Sequence, residues 1–275
     1  MAPVHIGGAT IHFSLAPFTH VASETDIKAF VLRSAEPVAA YYGHFPVKKL
    51  KVEVMENDRG TGLFGREFHG NRVQFFLGSK ATAEQMRESG ILTHEMFHLG
   101  FPDLVRDYAW IEEGLATYLA HLARARSGQS TETEFWNDAK DGFEDSLPKN
   151  GDAGLADAEY YRRIYWGGAL FWFEIDLEIR EHTHGAKSLD TVTRGILKEG
   201  GDNAHPWKLP RLRHAVDAFA GFPVFQKWYA FFGMKPGRAD LPALWAKLGL
   251  TPKKGKLEPT LPSELRSALL KNIAK

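Results

Sequence analysis

The stretch ILTHEMFHLG, residues 91–100, sets the tightest condition on how this chain folds. His94 and His98 are four positions apart, and residues at that spacing share a face, one turn apart, on an α-helix. Ile91, Leu92, Met96, Phe97 and Leu99 around them are apolar, so the helix is expected to be largely buried. Buried imidazoles need partners to offset the loss of water. Either the pair is a polar helix face satisfied by protein, or it presents two nitrogens to one metal ion. Glu95 follows the first histidine and can reach the open side of such an ion. This is the H-E-x-x-H arrangement, in which zinc lowers the pKa of water to about 7 and the carboxylate takes the proton during attack on a carbonyl.

A zinc ion used in this way takes a third protein ligand and leaves the fourth position to water. One superfamily places a histidine six residues beyond the motif, but here Phe101 and Leu104 hold the relevant positions. Cysteine is absent from the chain, which excludes thiolate ligands and disulfides alike. Downstream, WIEEGLATYLAHLA reads as a helix start with two adjacent glutamates. Glu113 shares a face with Ala116 and Thr117, whose small size allows a close helix approach, and Glu112 points about 100° away. Either glutamate is a candidate ligand on this reading, the other being solvated or supporting.

The rest of the chain sets the frame. At 275 residues it has material for one large domain or two small ones. Hydrophobic residues make up 44% and charged residues 25%, the balance of a globular protein. Its 34 basic residues match its 34 acidic ones, which removes the broad electrostatic case for nucleic acid. No apolar run is long enough to suggest a membrane span. The opening MAPVHIGGATIHFSLAPF lacks the charged start and apolar core of a signal peptide, and the compartment stays open.

Residues 1–20 read as loop or edge strand. A helix is expected after the N-cap Ser23, running towards Tyr42 with a break or kink at Pro37. KKLKVEVME and RVQFFLG read as strands, with the glycine-rich DRGTGLFGREFHGN between them as a loop. Helices are expected near 83–99, 108–126, 131–144, 158–182, 188–198, 210–220, 223–232, 240–248 and 262–273, with KPGRADLP and TPKKGKLEPTLP as links. The fold class is α+β. The domain expectation is an α/β part, 1–105, ending in the metal-binding helix, followed by a helical part, 106–275, together forming one catalytic unit.

WIEEGLATY resembles the W-x-x-E-G-x-A-x-Y stretch of the gluzincins, zinc peptidases whose third ligand is a glutamate. The resemblance implies a thermolysin-like catalytic domain and assigns the third ligand to Glu113, the glutamate before the glycine. Further on, YYRRIYWGGALFWFEIDLEIRE and SLD are similar to the glycyl aminopeptidase family, with Tyr165, Gly167-Gly168, Asp176 to Arg180 and Ser188-Leu189-Asp190 in the matching places. The likeness covers roughly residues 60–200. It implies that the Tyr165 hydroxyl stabilises the oxyanion, as a phenol aimed at developing charge can. Tyr161, one turn away, is the alternative, and an aromatic core residue is the plainer reading of Tyr165. Thr117 is expected to support a metal ligand.

The chain also departs from that family. Gly167 stands where a lysine is usual, and GTGLFGREFHG replaces a Gly-Gly-Leu-Glu-His stretch, leaving Glu67 and His69 out of register. In related aminopeptidases a glutamate in such a loop holds the substrate's amine; here Glu67 reads more simply as a loop residue. No PDZ domain is visible in the sequence. NRVQFFLGS is expected to be an edge strand that receives substrate by strand addition. Residues 132–159 are acidic and the last forty are rich in Lys and Arg, either as cleft rim or as two solvated faces, and Trp136 and Phe143 either line a cleft or fill the core.

The function expected is that of a zinc metallopeptidase acting on peptides or proteins, with aminopeptidase action as one form. His94, His98 and Glu113 would bind zinc, and Glu95 and Tyr165 would be catalytic. The rival readings are a non-catalytic peptide binder that keeps the scaffold and a domain in which zinc is structural.

Overall fold

A computed structural model describes residues 2–68, 71–104 and 108–271. The architecture is α+β, with a five-stranded sheet in the first third and helices dominating the remainder. Two compact units are formed: one by the chain up to Asp103 together with Gly200–Pro206, the other by Leu104–Glu199 with Trp207–Lys271.

The first unit contains β1 (Val4–Ile6), β2 (Ala9–Leu15), α1 (Glu24–Tyr42), β3 (Lys49–Asn57), β4 (Leu63–Phe68), β5 (Arg72–Gly78), α2 (Ala83–Glu88) and α3 (Ile91–His98). The strand order is β1-β2-β3-β5-β4. The central pairs β2–β3 and β3–β5 are parallel, and β1 and β4 close the two edges antiparallel. Strand alternation buries Leu50, Val52 and Val54 of β3 beside Val73, Phe75 and Leu77 of β5, as side chains of period two require. On the opposite face Glu53 takes hydrogen bonds from Lys51 at 2.6 Å and Gln74 at 3.0 Å.

Ser23 caps α1 in a capping box with Asp26, and Gly43 ends the helix at φ 80°. The helix runs through Pro37. The proline is buried, and packing of both halves outweighs its missing hydrogen bond. The expected edge strand is displaced: β5 lies inside the sheet, and β4 occupies the edge, paired from Leu63↔Leu77 to Phe68↔Arg72. The segment expected to be a loop is therefore partly strand. Its glycines split in role, Gly60 turning at φ 64° and Gly65 sitting within β4. The helix expected over 83–99 is interrupted at Ser89, whose backbone is extended, so α2 and α3 are separate.

The second unit comprises α4 (Ala109–Arg126), α5 (Glu132–Ser146), α6 (Gly168–His182), α7 (Leu189–Lys198), α8 (Leu209–Ala220), α9 (Phe225–Trp228), α10 (Leu241–Lys247), β6 (Leu250–Lys253), β7 (Lys256–Pro259) and α11 (Glu264–Leu270). π-helical turns at Arg163–Gly167 and Tyr229–Gly233 lead into α6 and extend α9. Residues 158–160, expected as helix, precede the helix, which begins at Tyr161. The expected link TPKKGKLEPTLP is instead a hairpin, turned by Lys254 at φ 50° and Gly255 at φ 81°, the pair of positive angles that matches strand twist. Trp136 and Phe143 of α5 fill the core, against Phe173 of α6.

The buried Asp176 of α6 is fully engaged. It accepts from the Tyr118 hydroxyl at 2.7 Å, the Leu189 N–H at 2.8 Å and the Arg180 Nε at 3.0 Å. Burial opposes the charge on Arg180, but Asp176 beside it holds its pKa above the ordinary value. Both members of a buried pair are hydrogen-bonded, the condition under which such pairs persist. The Asp-x-x-x-Arg and Ser-Leu-Asp resemblances thus mark a structural junction of α4, α6 and α7.

Candidate metal centre

α3 is short and has no side-chain N-cap; tertiary packing holds it. Leu92, Met96 and Leu99 are fully buried, and Phe97 packs edge-on against Tyr41 of α1. The Thr93 hydroxyl donates to the Ser34 carbonyl at 3.1 Å, and the Tyr42 hydroxyl donates to the Gly100 carbonyl at 3.2 Å. A Cβ at Gly100 would stand 2.6 Å from the Tyr42 ring, so only glycine lets the helix end against α1. These contacts fix the rotation of α3 and leave His94 and His98 on its half-buried side.

The two imidazoles converge through the same atom type. Nε2 of His94 and Nε2 of His98 are 3.2 Å apart, with ring planes at 77°. Two nitrogens bound to one tetrahedral zinc at about 2.0–2.1 Å lie roughly 3.3 Å from each other. The pair has the bite of a zinc chelate.

Glu95 is 9% exposed. Its Oε2 accepts the Glu67 N–H of β4 at 2.8 Å, and a Cβ at Gly65 would come within 2.6 Å of its Cγ. The edge strand thus runs against α3, and bare backbone makes room for the carboxylate. Neither contact is visible in the sequence reading. The available signal was an isolated glycine in an alternating stretch, which marks close backbone approach. The Glu67 side chain is half-buried; His69 lies outside the described residues.

On α4 the two glutamates divide. Glu112 Oε1 accepts the Leu104 N–H at 3.0 Å, which ties down the entry to the helix. Glu113 is half-buried, and with His94 and His98 it could hold a metal ion. Two imidazoles and a carboxylate form a donor set suited to zinc. A buried hydroxyl adds to the fit. Thr117, one turn beyond Glu113, is 5% exposed, and its Oγ1 has no hydrogen-bond partner among the described residues.

The placement of α4 depends on two glycines. A Cβ at Gly114 would stand 2.2 Å from the Gly168 carbonyl carbon, and one at Gly168 would stand 2.0 Å from the Trp110 oxygen. α4 and α6 therefore touch backbone to backbone, which secures the turn that carries Glu113. Gly167 faces Leu155, whose Cδ2 a Cβ would meet at 2.8 Å, so a side chain there would need that leucine to shift. Tyr165 lies in the π-helical turn, half-buried, with its ring stacked on Tyr161 at 4.1 Å. Tyr161 is 62% exposed, so Tyr165 is the more enclosed of the two candidates.

Neither the protein-family models nor the curated proteins offer a match to the sequence. Solved structures do match the fold. An aminopeptidase N family protein from Idiomarina loihiensis aligns with a TM-score of 0.68 at 16% identity, over 91% of this chain and 49% of that one. In fold, the chain is similar to M1 zinc peptidases. An M1 zinc metallopeptidase from Deinococcus radiodurans aligns at TM-score 0.57 and 17% identity, over 88% of this chain and 52% of that one. A mutant of the Deinococcus radiodurans enzyme, bound to a Tyr-Ser-Ala substrate, aligns at TM-score 0.55 and 17% identity, over 84% and 50%. The chain spans about half the length of these structures.

Proposed function

We propose that this protein is a zinc-dependent peptidase with a thermolysin-like catalytic domain. Residues 1–105 and 106–275 act as one catalytic unit, in which His94, His98 and Glu113 hold the ion. The observation that carries the reading is the 3.2 Å separation of the two histidine Nε2 atoms on a helix that also carries buried Glu95. The grouping of Glu113 with them supports it, as does the fold similarity to zinc metallopeptidases.

Zinc, when bound, polarises a carbonyl and lowers the pKa of water to about 7. Glu95 then takes the proton of the attacking water and passes it to the leaving amine, the work of a general base that becomes a general acid. The Glu67 N–H on Oε2 orients that carboxylate. Tyr165 donates to the oxygen on which negative charge develops. The open edge of β4 receives the extended peptide: Leu63 and Gly65 share the outward direction of the Glu67 amide, as alternate residues of a strand do. Aminopeptidase action is the favoured form. One similar structure belongs to the aminopeptidase N family, and another holds a tripeptide substrate.

The test uses purified protein, a mixed peptide library and mass analysis of products. We expect one zinc per chain, hydrolysis lost on chelation, and a loss of about 10²–10⁴ in kcat for Glu95→Gln with zinc retained. Successive loss of single N-terminal residues identifies an aminopeptidase, and internal cuts an endopeptidase. Wild-type rates in Glu95→Gln would sink the mechanism; zinc binding without any cleavage would leave a binder or a zinc-stabilised domain.

A further inference from the structure

The loop Gly200–Pro206 belongs to the same compact unit as the sheet and α3. Its Asn203 is 3% exposed and donates from Nδ2 to Glu67 Oε1, across 136 positions of sequence. Glu67 is also the residue whose backbone N–H holds Glu95 Oε2. One residue of the edge strand therefore makes two bonds, its side chain to the loop and its amide to the Glu95 carboxylate. β4 has a neighbour on one side only, and edge strands are the parts of a sheet most free to shift.

We propose that Asn203 is a positioning residue. It holds the β4 edge strand through the Glu67 carboxylate, so that the Glu67 amide keeps Glu95 in one orientation. Gly65 completes the device, because any side chain there would push Glu95 off that position. The carboxylate then has one oxygen engaged by the strand and the other left for a proton. Asn203 itself touches no substrate in this account. The proposal rests on the peptidase reading for its consequence in catalysis, but the clamp exists in the metal-free protein and is measurable without turnover.

Two measurements test it. Amide hydrogen exchange on the zinc-free protein reads the clamp directly. In Asn203→Ala the Glu67 amide is expected to exchange about tenfold faster, while the buried β3–β5 amides keep their wild-type rates. Steady-state kinetics on a cleaved peptide read the consequence: kcat falls about tenfold with KM within about twofold and zinc content unchanged. Asn203→Asp places two carboxylates together and is expected to be worse than alanine. The exchanged pair Glu67→Gln with Asn203→Asp restores a donor facing an acceptor and recovers Glu67 amide protection to within about threefold of wild type. Unchanged Glu67 exchange in Asn203→Ala overturns the proposal, as does failure of the exchanged pair to recover protection. A wild-type protein that shows the clamp but cleaves nothing overturns the peptidase reading and leaves the clamp standing.

Discussion

Thr117 carries a hydroxyl in a place where hydroxyls are costly: buried, helical and without a hydrogen-bond partner among the described residues. A buried polar group left unsatisfied costs about 1–3 kcal/mol, and an apolar group of the same shape removes that cost. Thr117→Val should therefore raise the melting temperature of the zinc-free protein while weakening zinc about tenfold, because groups that support metal ligands contribute at that level. Calorimetry on zinc-free protein and a competitive zinc titration check both signs; a variant that loses stability and keeps its zinc affinity contradicts the assignment. Glu174 on α6 makes a second case. Burial raises its carboxyl to about 7 from an ordinary 4.5; Lys247 and Lys227 pull it down, while Glu178 and Glu181 push it further up. The folded state thus favours the protonated acid. Its penalty is absent below pH 4.5, grows as pH rises through the folded value and is complete above it. Glu174→Gln should be neutral at pH 4 and stabilising above pH 7, by on the order of 2 kcal/mol after allowance for partial solvation. Denaturant melts across that range test the crossover, and a pH-independent difference would remove the explanation.

The helix crossing of α4 on α6 shows how one element depends on another. Backbone contact at Gly114 and Gly168 leaves no space for even a methyl group, so Gly114→Ala must separate the helices or distort α4. Overpacking of this kind costs about 1–3 kcal/mol. The variant should melt several degrees lower and retain less zinc, because the displaced residue adjoins Glu113; equal zinc content and an unchanged melt would contradict that. This crossing was not legible in the sequence, where Ala116 and Thr117 pointed to a close approach to the metal-binding helix and nothing marked Gly114 against Gly168. β5 and most helices were legible, because their apolar periods are long and regular. β4 was not. Its six residues include Gly65 and two charges, and only pairing with β5 and contact with Glu95 make it a strand. The β6–β7 hairpin was hidden likewise, because the Lys254–Gly255 turn reads as a polar link until both positive φ angles are known.

At the scale of the whole chain, the candidate site divides into what spacing encodes and what only folding supplies. His94, Glu95 and His98 are local, fixed by one helical turn, and the sequence displays them. Glu113 follows His98 by 15 positions, and the choice between it and Glu112 rested on resemblance; the Leu104 contact gives Glu112 a separate use. Asn203 has no local signal at all, because its partner Glu67 is 136 positions away. A centre gathered from such distant segments exists only in the folded chain, so an ion held there must stabilise folding by mass action. At a free zinc concentration of about 1,000 times Kd the gain is about 4 kcal/mol. The melting temperature should climb with the logarithm of free zinc and fall by roughly 10 °C on chelation, since each kcal/mol shifts a chain of this size by about 2–4 °C. His94→Ala and Glu113→Ala should each flatten that dependence without lowering the zinc-free melt. Glu95→Gln should keep it, because the role proposed for that carboxylate is to act on water and not as a ligand. A zinc dependence surviving Glu113→Ala would place the third ligand elsewhere.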